Sequence, residues 1–429
     1  MKVGGEIMMK FKKIASVILA VTLMATSLVA CGSANDAPAP TTEETTTEET
    51  TTEEATTEEA TTEEAGEEVA PATEGGETFK IGGIGPTTGP AAVYGQAVAN
   101  GAQIAVDEIN AAGGINGFQI ELSFEDDEHD AEKAVNAYNT LKDWGMQMLL
   151  GTVTSGPCIA VVDKTAEDSI FHLTPSATAV EAIKHDNAFR VCFSDPTQGV
   201  VSADYIADEG IASKVAVIYD SSDAYSTGIY ETFASQAATK GLEIVAAEAF
   251  TGESNSDFSV QLQKAQDAGA ELVFLPFYYQ EAALVLNQAN TMGYAPIFFG
   301  CDGMDGILDV EGFEAGLADG VKFLSPFLST ATDDLTANFV SAFQAAYNEV
   351  PNQFAAGAYD GIYIMKEAIE SVNVTPDMSA EEINEAVKSA MTEITLDGVT
   401  GKDLKWQADG EPQKEPMVLE IRDGAYNEL

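Results

Sequence analysis

From Phe79 onward the sequence alternates two periodicities, and this limits what the chain can fold into more than any other feature. Short apolar runs recur: FKIGGIG (79–85), IELSFED (120–126), MLLGTV (148–153), IFHLTPS (170–176), KVAVIYD (214–220), EIVAAEAF (243–250), ELVFLPFY (271–278) and PIFFG (296–300). The intervals are amphipathic. Val98, Ala102, Ala105 and Ile109 fall on one face of a helix predicted over about residues 95–110. Strand, helix, strand at this rhythm predicts an α/β fold with parallel sheets covered by helices on both faces. The chain has 429 residues, 45% of them hydrophobic, so it has length for two domains and material for their cores.

Several strands run out into small or polar residues: GPTTG, TVTSG, TPSAT, YDSSD and CDG. Open parallel sheets bind ligands beyond the carboxyl ends of their strands, so these turns mark the expected site. The stretch APIFFGCDGMDG (295–306) is the most pointed case, because a hydrophobic strand there opens onto a carboxylate, Asp302. Four roles fit: a general base, a metal ligand, a receptor for a cationic group, or a turn residue. The calcium-loop reading of Asp302 and Asp305 is poor, since the alternating oxygen ligands of such a loop are missing.

Composition excludes several function classes. The net charge of −50 repels phosphate, which argues against nucleic acid. Three histidines are too few for a histidine-rich metal site. The four cysteines, Cys31, Cys158, Cys192 and Cys301, lack the CxxC spacing of a zinc ribbon. His129, His172 and His185 are scattered, and His172, inside a strand, reads as structural. No GxSxG elbow supports a hydrolase built on Ser155 or Asp302.

The first residues read as an address. Lys10, Lys12 and Lys13 form a positive region, with Met8 or Met9 a candidate start, and IASVILAVTLMATS (14–27) is an apolar stretch too short for a typical membrane span. The following LVACG (28–32) resembles a bacterial lipobox, which implies a signal peptide over 1–30 and a lipid on Cys31. Residues 31–78 then read as a tether. Within it the unit TTEE(T/A) repeats five times from Thr41 to Ala65, without an aromatic or branched aliphatic residue to bury. A flexible chain of about 45 residues spans roughly 35–40 Å, and glutamate repulsion extends it further.

The stretch IGGIGPTTGPAAVYGQAVANGAQIAVDEINAAGGINGFQIELSFEDDEHDAEKAV (81–135), followed by LLGTVTSG, LTPSAT, VAVIYD, YYQEAA and GCDG in order, resembles the type I periplasmic binding proteins of the branched-chain amino acid transport family. The resemblance covers essentially all of 79–429. It implies two Rossmann-like α/β lobes joined by three crossovers and closing by hinge motion. By position, lobe one would be 79–195 plus 328–400, and lobe two 196–327 plus 401–429. It implies a monomeric receptor on the outer face of the bacterial cell membrane that hands a small amino acid to an ABC permease. It implies no cofactor, no metal and no catalysis. A receptor feeding a signalling partner through the same closure is the alternative.

A zwitterionic amino acid brings two charges out of water, and each needs a fixed partner. The resemblance carries the ligand carboxylate to Ser155 and Thr178, and counts Ser176 and Ala177 among the ligand contacts. Thr178 followed by Glu181 also reads as a capping box, predicting a helix start whose free amides suit an anion. The resemblance puts the ammonium on Asp302, where the family archetype has the longer glutamate; an aspartate requires the amine to sit closer or a water to bridge. It presents Tyr94, Tyr225, Tyr278 and, more weakly, Phe354 as the aromatic walls. Strand alternation turns Tyr279 away from the pocket. Ser155, Thr178, Asp302 and Phe354 also have structural readings, as loop, cap, turn and core, and Tyr279 reads as packing under a helix. Cys158, Cys192 and Cys301 are expected as free buried thiols or with one disulfide among them, and Cys301 as a neighbour of the pocket rim.

Overall fold

The computed structural model describes residues 76–429, so the predicted signal peptide, Cys31 and the Thr/Glu repeat lie outside the described residues. A first sheet holds β1 (Phe79–Gly85), β2 (Ile120–Asp126), β3 (Met148–Gly151), β4 (Phe171–Thr174) and β5 (Ala188–Arg190) in the order β2-β1-β3-β4-β5. All its pairings are parallel. A second sheet holds β6 (Lys214–Asp220), β7 (Glu243–Phe250), β8 (Leu272–Leu275), β9 (Ile297–Gly300) and β10 (Lys322–Ser325), parallel in the order β10-β9-β8-β6-β7. The hairpin β11 (Leu396–Gly398) with β12 (Gly401–Leu404) stands apart. Finally β13 (Met417–Arg422) and β14 (Ala425–Glu428) add an antiparallel pair beside β10. The expected parallel sheets are thus found, with one antiparallel addition at an edge, where the last two strands form a hairpin and need no crossover helix.

Several interior strands are buried on both faces. β3 (MLLG), β4 (FHLT) and β8 (LVFL) expose nothing, as continuous apolar runs in covered parallel sheets should. Helices α1 (Ala92–Ala111), α2 (Ala131–Trp144) and α3 (Ser155–Glu167) connect the strands of the first sheet. α4 (Asp195–Asp208), α5 (Ala224–Lys240), α6 (Ser259–Asp267) and α7 (Tyr279–Met292) serve the second. The chain then returns: α8 (Asp334–Tyr347) packs on α1, α9 (Gln353–Ser371) on α1 and β3, and α10 (Ala380–Ala390) on α9 and β4. The predicted stripe Val98, Ala102, Ala105 and Ile109 is the buried face of α1. α1 and α9 approach so closely that a Cβ on Gly101 would lie 2.1 Å from the Ala355 carbonyl oxygen, so only glycine fits there.

In each sheet the strand order reverses once, between β1 and β3 and between β6 and β8. Such switch points open a crevice at the carboxyl ends of the strands. The turns after β1, β3 and β4 lie at one crevice, and those after β6, β8 and β9 at the other.

Candidate ligand-binding site

The two crevices face each other, and their residues meet in one cavity lined by Tyr94, Val153, Thr154, Ser155, Ser176, Thr178, Tyr225, Tyr278, Asp302, Gly303 and Phe354. Eight of the nine residues singled out as ligand contacts from sequence are therefore together. The ninth, Ala177, is buried just behind the wall. Val153, Thr154 and Gly303 lie in the TVTSG and CDG turns that mark the expected site, although none was singled out as a contact.

On the first-sheet side, Ser155 opens α3, with Thr154 in extended conformation before it. The first amides of a helix have no intrahelical acceptor and so present donors to an anion. The Ser155 hydroxyl accepts from the Ala179 amide at 3.2 Å. Ser176 Oγ donates to the Val153 carbonyl at 2.7 Å, and the Ala177 amide donates to Thr174 Oγ1 at 2.9 Å. These bonds fix the 176–179 turn. The capping box predicted for Thr178 and Glu181 does not form. Only a 3₁₀ turn, Val180–Ile183, follows, and the residue at its cap is Ala179, with no side-chain bond. Thr178 instead sits in an irregular turn whose carbonyl accepts from the Asp195 amide at 2.9 Å.

On the second-sheet side, Asp302 begins a 3₁₀ turn directly after β9 and is only 4% exposed. Tyr225, near the start of α5, donates its hydroxyl to Asp302 Oδ1 at 2.7 Å and accepts from the Gly303 amide at 2.9 Å. The Asp302 amide donates to Gln198 Oε1 at 3.0 Å. Burial raises the Asp302 carboxyl to about 6, against the lowering effect of the Tyr225 hydroxyl and its other donors. Tyr278 stacks on Tyr225 with ring centres 4.9 Å apart. Its hydroxyl is buried without a hydrogen-bond partner; the Asp223 carboxylate is near enough to feel it, but the pair lacks hydrogen-bond geometry. A Cβ on Gly303 would fall 2.8 Å from the Tyr225 hydroxyl and 3.1 Å from the Tyr278 ring, so glycine lets both tyrosines reach the turn.

Tyr94, Gln353 and His129 reach from the first side to the second directly. Tyr94 donates to the Gly303 carbonyl at 2.6 Å and accepts from the Tyr279 amide at 3.3 Å. Gln353, at the start of α9, donates through Nε2 to the Asp302 carbonyl at 2.9 Å. His129 sets its ring edge-on to Tyr278, with centres 5.4 Å apart, while Nδ1 bonds the Thr154 hydroxyl at 2.9 Å. The jaws are closed, and aromatic rings fill the space between them. Phe354 lies 4.1 Å from Tyr94, centre to centre. The cavity that remains measures about 10 Å³, room for one water at most. An amino acid enters only if the jaws part or the rings turn.

A second cavity of similar size shares Ser176, Asp302 and Phe354 and adds Cys192 and Lys414. Burial pulls the Lys414 ammonium down to about 8, against the pull of Asp360. One of several larger surface grooves, of about 410 Å³, lies between the end of α7 and the start of β9, away from the turns that follow the strands.

The remaining sequence readings fare unevenly. Tyr279 stays out of the cavity, but for a different reason than alternation: β8 ends at Leu275 and Tyr279 opens α7, its ring 5.0 Å from that of Tyr94. Cys301 is fully buried in the second-sheet core, so the thiol bordering a cavity is that of Cys192. Cys158, Cys192 and Cys301 are free. His172 is buried in β4, held near pKa 4 by burial, with Nδ1 3.3 Å from Thr165 Oγ1.

A sequence profile described as periplasmic binding protein matches residues 78–425. The Leu/Ile/Val-binding protein homolog 3 of Brucella melitensis is 32% identical over 302 residues, covering 70% of this chain and 81% of that protein. The leucine-, isoleucine-, valine-, threonine- and alanine-binding protein of Pseudomonas aeruginosa is 29% identical, covering 77% of this chain and 87% of its own. Among solved structures, the branched-chain amino acid transporter substrate-binding protein LivJ from Streptococcus pneumoniae, in complex with isoleucine, superposes with a TM-score of 0.75 at 31% identity. It covers 82% of this chain and 98% of its own.

Proposed function

Because the chain belongs to the periplasmic binding protein family, we propose that it is the solute receptor of an ABC importer and closes on a small α-amino acid, branched-chain by default. The family places it outside the cytoplasm, and it is a binding protein, not an enzyme. One observation carries the ligand reading. A cluster of neutral donors on one jaw and a buried carboxylate on the other line the same cavity. Ser155 and Thr178, with the amides around them, receive the ligand carboxylate, and Ser176, whose proton goes to the Val153 carbonyl, holds the turn in place beside it. Asp302 receives the ammonium, displacing part of its bond to Tyr225. Tyr94, Tyr278 and Phe354 enclose the side chain. In this reading lobe one is 79–195 plus 328–400, lobe two is 196–327 plus 401–429, and the three crossovers between them are the hinge. Closure then follows from the ligand itself, since each lobe neutralises one of its two charges. A lipid on Cys31 would hold the receptor at the membrane beside its permease.

The test is a thermal-shift screen of the purified chain against the twenty amino acids and their amides. A ligand present at 100 times its dissociation constant stabilises by about 2.7 kcal/mol, a readily measured shift. If no amino acid moves the transition, the receptor reading is wrong.

A further inference from the structure

Arg190 carries the strongest feature that the cleft itself does not use. It ends β5, is fully buried, and lines neither cavity. Its guanidinium grips the back of the turn that bears Thr178: one terminal nitrogen donates to the Ala177 carbonyl at 3.1 Å and the other to the Ala179 carbonyl at 2.9 Å. Its backbone is held by the chain just before β13. The Arg190 amide donates to the Gly410 carbonyl at 3.2 Å, and Trp406 Nε1 donates to the Arg190 carbonyl at 2.8 Å. The counter-ion is Glu411, 3.3 Å away and partly exposed. The Nε donor of Arg190 has no partner. A buried guanidinium with one solvent-edged counter-ion and an idle donor leaves positive potential behind the turn.

The peptide plane gives this grip a consequence. In a trans peptide the N–H points opposite to the preceding carbonyl. Arg190, which lines neither cavity, shares the Ala177 carbonyl with Cys192 Sγ at 3.4 Å, and the Thr178 N–H points the opposite way, in this inference toward the cavity that Thr178 lines. That amide finds no acceptor among the described residues. The next amide, on Ala179, is spent on Ser155 Oγ, and the Thr178 carbonyl is taken by the Asp195 amide. One donor of the turn is left aimed at the ligand, and the guanidinium sets its direction.

We infer that Arg190 is the positioning residue for ligand carboxylate recognition: it orients the Thr178 amide into the cleft and supplies, through the turn, a positive field that selects a carboxylate over its neutral amide. This rests on the amino-acid receptor reading above. Glu411 tempers the field.

The experiment is calorimetry with the amino acid that binds best in the twenty-member screen and with its α-amide, on the wild-type chain and on Arg190→Gln, Arg190→Lys and Glu411→Gln. Arg190→Gln is expected to weaken the amino acid by about ten-fold and the amide by no more than about three-fold. Arg190→Lys, which keeps the charge, restores part of the discrimination. Glu411→Gln, which unmasks the guanidinium, tightens the amino acid by about two-fold and leaves the amide unchanged. A merely structural arginine would shift both ligands by the same factor, and that result overturns the inference while leaving the receptor reading intact. If Arg190→Gln does not fold, Glu411→Gln decides alone, with unchanged or equal shifts overturning the inference. A wild-type chain that binds none of the twenty overturns the receptor reading and this inference together.

Discussion

The two jaws of the cleft are built on different principles. On the first-sheet jaw the groups of the 176–179 turn are neutral: Ser176 is tied to Val153, Ala177 to Thr174 and Ala179 to Ser155, while the Thr178 amide has no acceptor among the described residues. None of these groups changes charge between pH 4 and 8. The second-sheet jaw holds its polarity in carboxyls that burial pushes up, Asp302, Asp223 and Asp305 each to about 6. Its tyrosine hydroxyls rise too, again through burial. One jaw is therefore a fixed mould for an anion. The other is a titratable acceptor for a cation, and its charge depends on pH and on what the closed cleft contains.

The sharpest way to break this contrast is to delete the charged member. Asp302→Ala should weaken amino-acid binding ten-fold or more, the loss of a charge-assisted bond being about 1.5–3 kcal/mol. Asp302→Asn, which keeps the shape, should lose nearly as much if charge matters. Calorimetry that finds either variant unchanged would remove the ammonium from Asp302.

The pH prediction is next in size and has two opposite signs. Burial raises Asp302 from an ordinary 3.8 to about 6 in the folded chain. As pH falls from 6 toward 4, the folded state takes up this proton before the unfolded state does, so the group's contribution to stability improves. It is lost again as pH rises through about 6. Binding moves the other way, because a protonated Asp302 cannot pair with an ammonium. Affinity should fall by up to about ten-fold per pH unit below 6, while the melting temperature of the ligand-free chain holds or rises. Asp302→Asn should flatten the affinity profile. A profile in Asp302→Asn as steep as that of the wild type would move the titration to another group.

How much of this was legible beforehand follows from burial. Four of the eight strands read from sequence, FKIGGIG, IELSFED, KVAVIYD and EIVAAEAF, carry the boundaries found in the structure. They are bounded by turn residues and long enough for their pattern to show. β5, with three residues, and β10, with four, are too short to carry a period. β13 reads MVLEIR, partly exposed and mixed in character, as suits a strand paired antiparallel near a sheet edge. The cleft residues were legible because they follow strand ends, where polar side chains have no packing reason to be. Thr178 was found, but through the wrong device: a Thr and a Glu three apart look like a capping box even where the turn is too short to be a helix. Arg190 was missed because nothing in AFR says that its arginine points inward; only the fold supplies the carbonyls that make its burial tolerable.

The first-sheet jaw offers a smaller perturbation. Thr178→Val keeps volume and branching and removes one hydroxyl, while the backbone donors around it stay. The expected loss is about three- to five-fold, near the 0.5–1 kcal/mol of a single net hydrogen bond, with no change in the pH profile. A pH-dependent loss would mean that the two jaws titrate together, through the contact between Thr178 and the buried Asp195 carboxyl, and that the division drawn between them is false.

The smallest expected effect tests whether the comparison is confined to the jaws at all. Among the described residues, those that line the two cavities lie between Tyr94 and Lys414, and Arg190, Glu411 and Gln198, which hold those residues in place, lie in the same interval. Residues 31–75 lie outside the described residues. Their Thr/Glu repeat adds negative charge, and a charged segment acts on an exposed zwitterion only weakly beyond a Debye length of about 10 Å at 0.1 M salt. Removing them should leave the dissociation constant within about two-fold at that salt. The association rate for a net-neutral amino acid should also hold, because the ligand carries no net charge to be steered. A large loss of affinity on truncation, persisting at high salt, would show that the segment reaches the cleft and that a third region shares the work assigned to the two jaws.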